Sequence, residues 1–120
     1  MQADTRACAA YVALRLISGK QTSSVYDYSR GQHISIGGTI SDSNVNVYDY
    51  SRSAHFSGSG SDGRYNLYDY GHSHHVTLEI NEDQYKGYDY GSGSHFSGRV
   101  NGNSTALYDY GQGAYFNYSV

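Results

Sequence analysis

Two hydrophobic patterns divide the chain. From Thr5 to Ser18 the residues are almost all small or apolar, with neither glycine nor proline, and Gly19 follows as a stop. That run predicts a helix capped by Asp4 or Thr5. Its apolar residues cover every side, because Arg6 and Arg15 lie nine positions apart and so project in opposite directions. A helix apolar all round is a buried helix. From Val25 onward the pattern changes to alternation with period two, the mark of strands with one face inward.

The strands come in copies. Tyr-Asp-Tyr begins at Tyr26, Tyr48, Tyr68, Tyr88 and Tyr108, so one unit of about twenty residues is repeated five times. Counting from the first tyrosine as position zero, positions three to six are Ser, Gly, Arg, His, Gln or Ala, as in the SRGQ and GSGS segments, and read as a turn. Position seven is His33, His55, His75, His95 and Tyr115; position eight is Ile34, Phe56, Val76, Phe96 and Phe116. A second turn follows at SDGR, NEDQ and NGNS in the middle copies. Each copy is therefore a β-hairpin, two strands of about six residues with four-residue loops.

Parity sorts the faces. Val45, Val47, Tyr65, Leu67, Tyr85, Leu107, Phe56, Val76, Leu78, Ile80, Phe96, Val100, Phe116 and Val120 share one face, the predicted core. Both tyrosines of each tripeptide, the position-seven residues, Ser57, Thr77, Ser97 and Asn117 share the other, toward solvent. With the loop at positions three to six, the second tyrosine lies opposite position seven. This pairs Tyr28 with His33, Tyr50 with His55, Tyr70 with His75, Tyr90 with His95 and Tyr110 with Tyr115. These ten residues form the candidate binding belt, although cross-strand aromatic pairing also accounts for them without any ligand. Asp27, Asp49, Asp69, Asp89 and Asp109 fall on the core side just before a turn, where each is expected to accept N–H bonds from its own loop.

The architecture that follows is mainly β. Five tandem hairpins, ten antiparallel strands, form a closed or nearly closed barrel or flower, with the N-terminal helix plugging or capping it. One domain spans 1–120: helix 3–19, linker 20–24, hairpins 25–120. Inward glycines at 58, 87 and 98 leave space that the helix backbone could use. Two extra residues around Gly37-Gly38 in the first copy predict a bulge or longer loop. Equal loops at both ends would give little shear, which barrel closure requires, so a flat solenoid-like sheet covered by the helix is the alternative. Tandem hairpins with Tyr-Asp-Tyr before a Gly/Ser turn resemble the β-flower proteins, shallow symmetric barrels of repeated hairpins. That resemblance covers about residues 25–120 and implies ring closure; it supplies no activity and no catalytic residues.

Composition narrows the function. A net charge of −3 and a pI near 6.0 give no footprint for nucleic acid. The single cysteine, Cys8, rules out an internal disulfide and a thiolate zinc cluster, and reads as a small buried side chain. No segment reaches the ~18 apolar residues of a transmembrane helix. Asp4 stands where a signal peptide would be basic, Arg15 interrupts its apolar run and no cleavage site follows, so the compartment is unknown and cytoplasmic by default. No triad order, phosphate loop or HExxH element is present, and the acids are repeated equivalents; the chain is expected to be no enzyme and to need no cofactor. Histidines recurring once per hairpin lie too far apart to share a metal, which leaves His72, His74 and His75 as the one local cluster to consider. Fifteen tyrosines among Ser, Gly and Asn suit an adaptable contact surface. The expected function is a structural or interaction module that presents this repeated Tyr/His/Ser surface to a protein partner or to itself. A multivalent, lectin-like carbohydrate-binding module is the alternative, followed by an apolar or lipid ligand in the lumen.

Overall fold

Alternating side chains from Ser24 to Ser119 become ten antiparallel strands, and the computed structural model describes all of residues 1–120. Helix α1 spans Ala3–Ser18. The strands are β1 (Ser24–Asp27), β2 (Gln32–Ile40), β3 (Asn44–Asp49), β4 (Ala54–Ser61), β5 (Arg64–Asp69), β6 (His74–Asn81), β7 (Gln84–Asp89), β8 (Ser94–Asn101), β9 (Ser104–Asp109) and β10 (Ala114–Ser119). Each pairs with its chain neighbours, and β1 pairs with β10, so the sheet closes into a barrel. The flat-sheet alternative is thereby set aside.

Closure works because the two loop types differ, contrary to the expectation of equal loops. Each Tyr-Asp-Tyr turn has four residues, and its last residue adopts a left-handed backbone: Gly31, Ser53, Ser73, Gly93 and Gly113 all have φ between 53° and 67°. At the opposite end β4 and β5 are joined by Asp62-Gly63 alone, both with positive φ, the conformation that matches strand twist in a two-residue hairpin. Register then advances at every hairpin. Tyr48 lies opposite His55, and the His55 carbonyl accepts the N–H of Tyr70, so one circuit step leads from the first tyrosine of one copy to the second tyrosine of the next. Repeated around the ring, that offset is the shear a barrel needs. The extra residues of the first copy make no bulge. One lengthens β2 to nine residues and the other lengthens the loop to Ser41–Ser43, and Ser35 takes the place that His55 takes later, so that copy contributes a larger offset.

The helix lies inside. Every residue from Ala7 to Leu14 is fully buried, and one continuous core cluster joins the helix to Ile34, Phe56, Leu67, Val76, Phe96 and Leu107. Sixteen residues span about 24 Å at 1.5 Å each, against molecular dimensions of 30 × 29 × 27 Å, so α1 runs nearly from one mouth of the barrel to the other. It begins at Ala3 with Gln2 as an N-cap that makes no side-chain bond; Asp4 and Thr5 are occupied elsewhere, and neither caps it. Gly19, left-handed at φ 72°, ends it as expected and returns an N–H to the Arg15 carbonyl.

The inward glycines serve the wall more than the helix. A methyl group on Gly58 would run into the Asn66 carbonyl, on Gly87 into the Phe96 ring and on Gly98 into Tyr85. The space expected for the helix backbone is thus taken by neighbouring strands and by two aromatic rings. Small residues on the helix itself (Ala7, Cys8, Ala9, Ala10 and Ala13) provide the clearance instead. No helix is long and apolar enough to cross a membrane.

Candidate functional site: an aromatic belt over a ring of paired aspartates

All ten belt residues named from sequence lie on the outer surface, but with a corrected register. Position seven faces the first tyrosine of its copy, not the second: Tyr26 with His33, Tyr48 with His55, Tyr68 with His75, Tyr88 with His95 and Tyr108 with Tyr115. The second tyrosine stands in the turn. Each copy therefore builds a trio in which the first tyrosine is flanked by the other two rings. Centroid separations are 4.7–5.0 Å with rings inclined by 66–79°, the edge-to-face geometry favoured by aromatic quadrupoles. Tyr26, Tyr48, Tyr68, Tyr88 and Tyr108 are the members that the two-residue register error left out of the belt. The invariant left-handed position closing each turn would have located the loop correctly.

The outer tyrosines are the most exposed large apolar side chains of the molecule: Tyr28, Tyr50, Tyr70, Tyr90, Tyr110 and Tyr115 are 57–67% accessible. Adjacent copies touch through His55 and Tyr70, whose ring centroids are 6.5 Å apart, and through the hydroxyls of Ser97 and Tyr110 at 3.4 Å. The five trios thus ring one mouth, with direct contacts at these two junctions.

Beneath the band, five aspartates point inward around the first turns of α1, each 1% exposed or less. The expected loop bonds are present. Asp69 accepts the N–H groups of Gly71 and His72, Asp89 that of Gly91, Asp109 those of Gly111 and Gln112, and Asp27 and Asp49 those of Ser29 and Ser51. Sequence reasoning missed the counter-charges. Arg30 pairs with Asp27 at 2.6 Å and reaches Asp4 at 3.0 Å. Arg52 bridges two copies, 2.8 Å from Asp49 and 2.6 Å from Asp69. Arg6 and the Met1 ammonium lie 3.2 Å from Asp109, and Nδ1 of His74 lies 3.0 Å from Asp89. The positive N-terminal end of the helix dipole faces the same ring.

These contacts set the ionisation. Burial alone would raise Asp69, but hydrogen bonds from Arg52 and Thr5 and the Arg52 charge outweigh it and hold the carboxyl below its usual range. Asp27 is lowered in the same way by Ser29 and Arg30. Cys8 is buried against Asp49 and Arg52, and burial, reinforced by the Asp49 charge, pushes its thiol up. The side chain is fully buried, in line with its reading as a small buried residue. Tyr118, inward and hydrogen-bonded by Arg6, is pushed up to about 12 by burial.

His72, His74 and His75 do not converge. His72 and His74 stack at 6.1 Å, His74 turns to Asp89, and His75 faces outward against Tyr68. No three His, Cys, Asp or Glu side chains are grouped to hold a metal ion. The lumen holds the helix in place of a ligand cavity. No protein-family model, curated protein or solved structure matches the chain.

Proposed function

We propose that the chain is a non-catalytic β-repeat binding module whose Tyr/His belt docks a protein partner or a second copy. One observation carries the reading: five near-identical aromatic trios ring the outside of one mouth while the interior is filled. Tyrosine contributes large contact area with few rotatable bonds, so its ordering on binding costs little. Repetition around a ring lets a multivalent or self-associating partner engage several trios at once. The aspartates serve as turn anchors and ion-pair partners in this scheme, with no role in chemistry. The outer wall carries Arg64, Glu79, Lys86 and Arg99 within the strands, a surface unsuited to facing lipid. The likeness to β-flower proteins belongs to the same proposal; a ring of tandem hairpins supports it.

The test is the triple variant Tyr50→Ala, Tyr70→Ala and Tyr90→Ala. Each ring packs edge-on against one neighbouring tyrosine, so far-UV circular dichroism should be unchanged. Association of the parent chain, read by sedimentation velocity over a concentration series and by pull-down, should fall to monomer with no captured partner. A parent chain that is monomeric throughout and captures nothing would remove the proposal.

A further inference from the structure

The belt does not stop at the mouth. Because register advances at each hairpin, outward side chains line up in oblique rows that run down the wall. One row passes from Ser59 on β4 to Asn66, Thr77, Tyr88 and His95 on the next four strands, each facing the one before. The row below it is Ser61, Arg64, Glu79 and Lys86. Between the two lies a depression of about 660 Å³, lined by both rows and by the backbone of Gly60 and Gly87. A volume of this size falls within the range of small-molecule sites, ~300–1,000 Å³. One copy further on, Glu79, Lys86, Ser97 and Tyr115 line an equivalent depression of about 560 Å³.

We infer that this groove across β4–β8 is a binding site for an extended, uncharged oligosaccharide. The inference rests on the belt as a binding surface, since Tyr88 and His95 belong to both. Hydroxyl, amide, carboxylate and ammonium groups stand side by side along the groove, offering the mixture of donors and acceptors that a polyol needs. Tyr88 and His95 close one end with rings against which the C–H face of a sugar stacks. Neighbouring strands are ~4.8 Å apart, close to the advance of one sugar unit, so a chain laid across the strands meets one polar side chain per residue. Other occupants fit less well. A peptide strand finds no free edge to pair with, because the barrel is closed. A polyanion finds Glu79 between the two cations, 3.7 Å from Arg64 and 3.9 Å from Lys86.

The experiment is a titration of the whole isotope-labelled chain with cellohexaose, chitohexaose and xylohexaose, followed by amide correlation NMR. Saturable shifts at Asn66, Thr77 and Lys86 with at least one hexasaccharide, with Kd of about 1 mM or tighter, are the expected result. The double variant Asn66→Ala and Lys86→Ala should weaken that binding about tenfold, ~1.4 kcal/mol; Asn66→Ser alone gives a smaller loss in the same direction if the double variant loses its dispersed spectrum. Absence of shifts with all three sugars at about 10 mM, shifts confined to Tyr50, Tyr70 and Tyr90, or unchanged affinity of the variants would overturn the inference. Association through the belt without any sugar response would overturn it while leaving the proposed function standing. Sugar binding by a chain that never associates would remove that function and leave the groove.

Discussion

Arg52 ties two successive copies to the helix through one side chain. It lies between the carboxylates of two successive copies, only 11% exposed, and also donates to the Cys8 sulfur on the helix. Replacing it with methionine keeps the volume but leaves Asp49 and Asp69 without a cation in a water-poor site, which should cost about 3–5 kcal/mol. Urea unfolding would register this as a lower midpoint with an unchanged slope; a loss below about 1 kcal/mol would mean that water reaches the pair. The lowered carboxyls of Asp27 and Asp69 make a second prediction, with a definite sign. A group that holds its proton less tightly when folded contributes full stability above its unfolded pKa of ~3.9, and that contribution shrinks as pH falls toward the folded value. Urea midpoints should therefore be flat from neutrality to about pH 5 and drop below about pH 4, with a shallower drop in Asp69→Asn. The aspartate end of this network was legible in sequence, because an Asp before a Gly/Ser turn has one obvious use. The cation end was not. Arg30 stands three residues after Asp27 and signals its pairing, but the reach of Arg52 to Asp69 depends on which copies become neighbours.

Secondary structure followed from periodicity and punctuation, and the errors lie where turn chemistry outweighs parity. Alternation placed Phe56, Leu67, Val76 and Tyr85 inside correctly, since a strand with one buried face leaves them no other place. It could not fix where a four-residue loop begins; the left-handed residue at the end of each turn does that, and two copies use serine there in place of the more telling glycine. Loop lengths at the far end were misjudged for a related reason, since Asp62-Gly63 suffices by itself and frees its flanking residues to extend the strands. The helix was predicted as buried from its all-round apolar surface, and its small residues explain how ten strands close around it. That makes the wall and the plug mutually intolerant of added volume. Ala9→Leu on the helix and Gly58→Ala on the wall should each destabilise by about 1–3 kcal/mol, the second because the added carbon meets the Asn66 carbonyl. Thermal unfolding would measure both, and a neutral Ala9→Leu would mean the lumen is roomier than its complete burial indicates.

At the scale of the whole molecule the barrel is not uniform. Strands β4 to β9 pair over six residues at each junction, whereas β1 and β10 meet only at Tyr26–Ser119 and Asp27–Tyr118, extended by the Tyr28 N–H to the Asn117 carbonyl. Lys20 adds a bond to the Val120 carbonyl across the same junction, whereas Arg15 bonds the carbonyls of Thr22 and Gly38 on the β2 side of β1. Local opening should start there. Native-state hydrogen exchange is expected to find the amides of Tyr26 and Tyr28 less protected than those of Leu67 and Val76, and equal protection would mean that the ring opens only by global unfolding. The position of α1 has a consequence for how such a chain is made. The segment that ends up enclosed is made before all five hairpins, and its greasy surface has no shelter until the last of them emerges. Assembly must therefore be a wrapping process finished by a clasp, and the clasp is the shortest junction of all. A nascent chain stalled before Ala114 would expose that core to chaperones, which makes the closing hairpin the step on which escape from quality control depends.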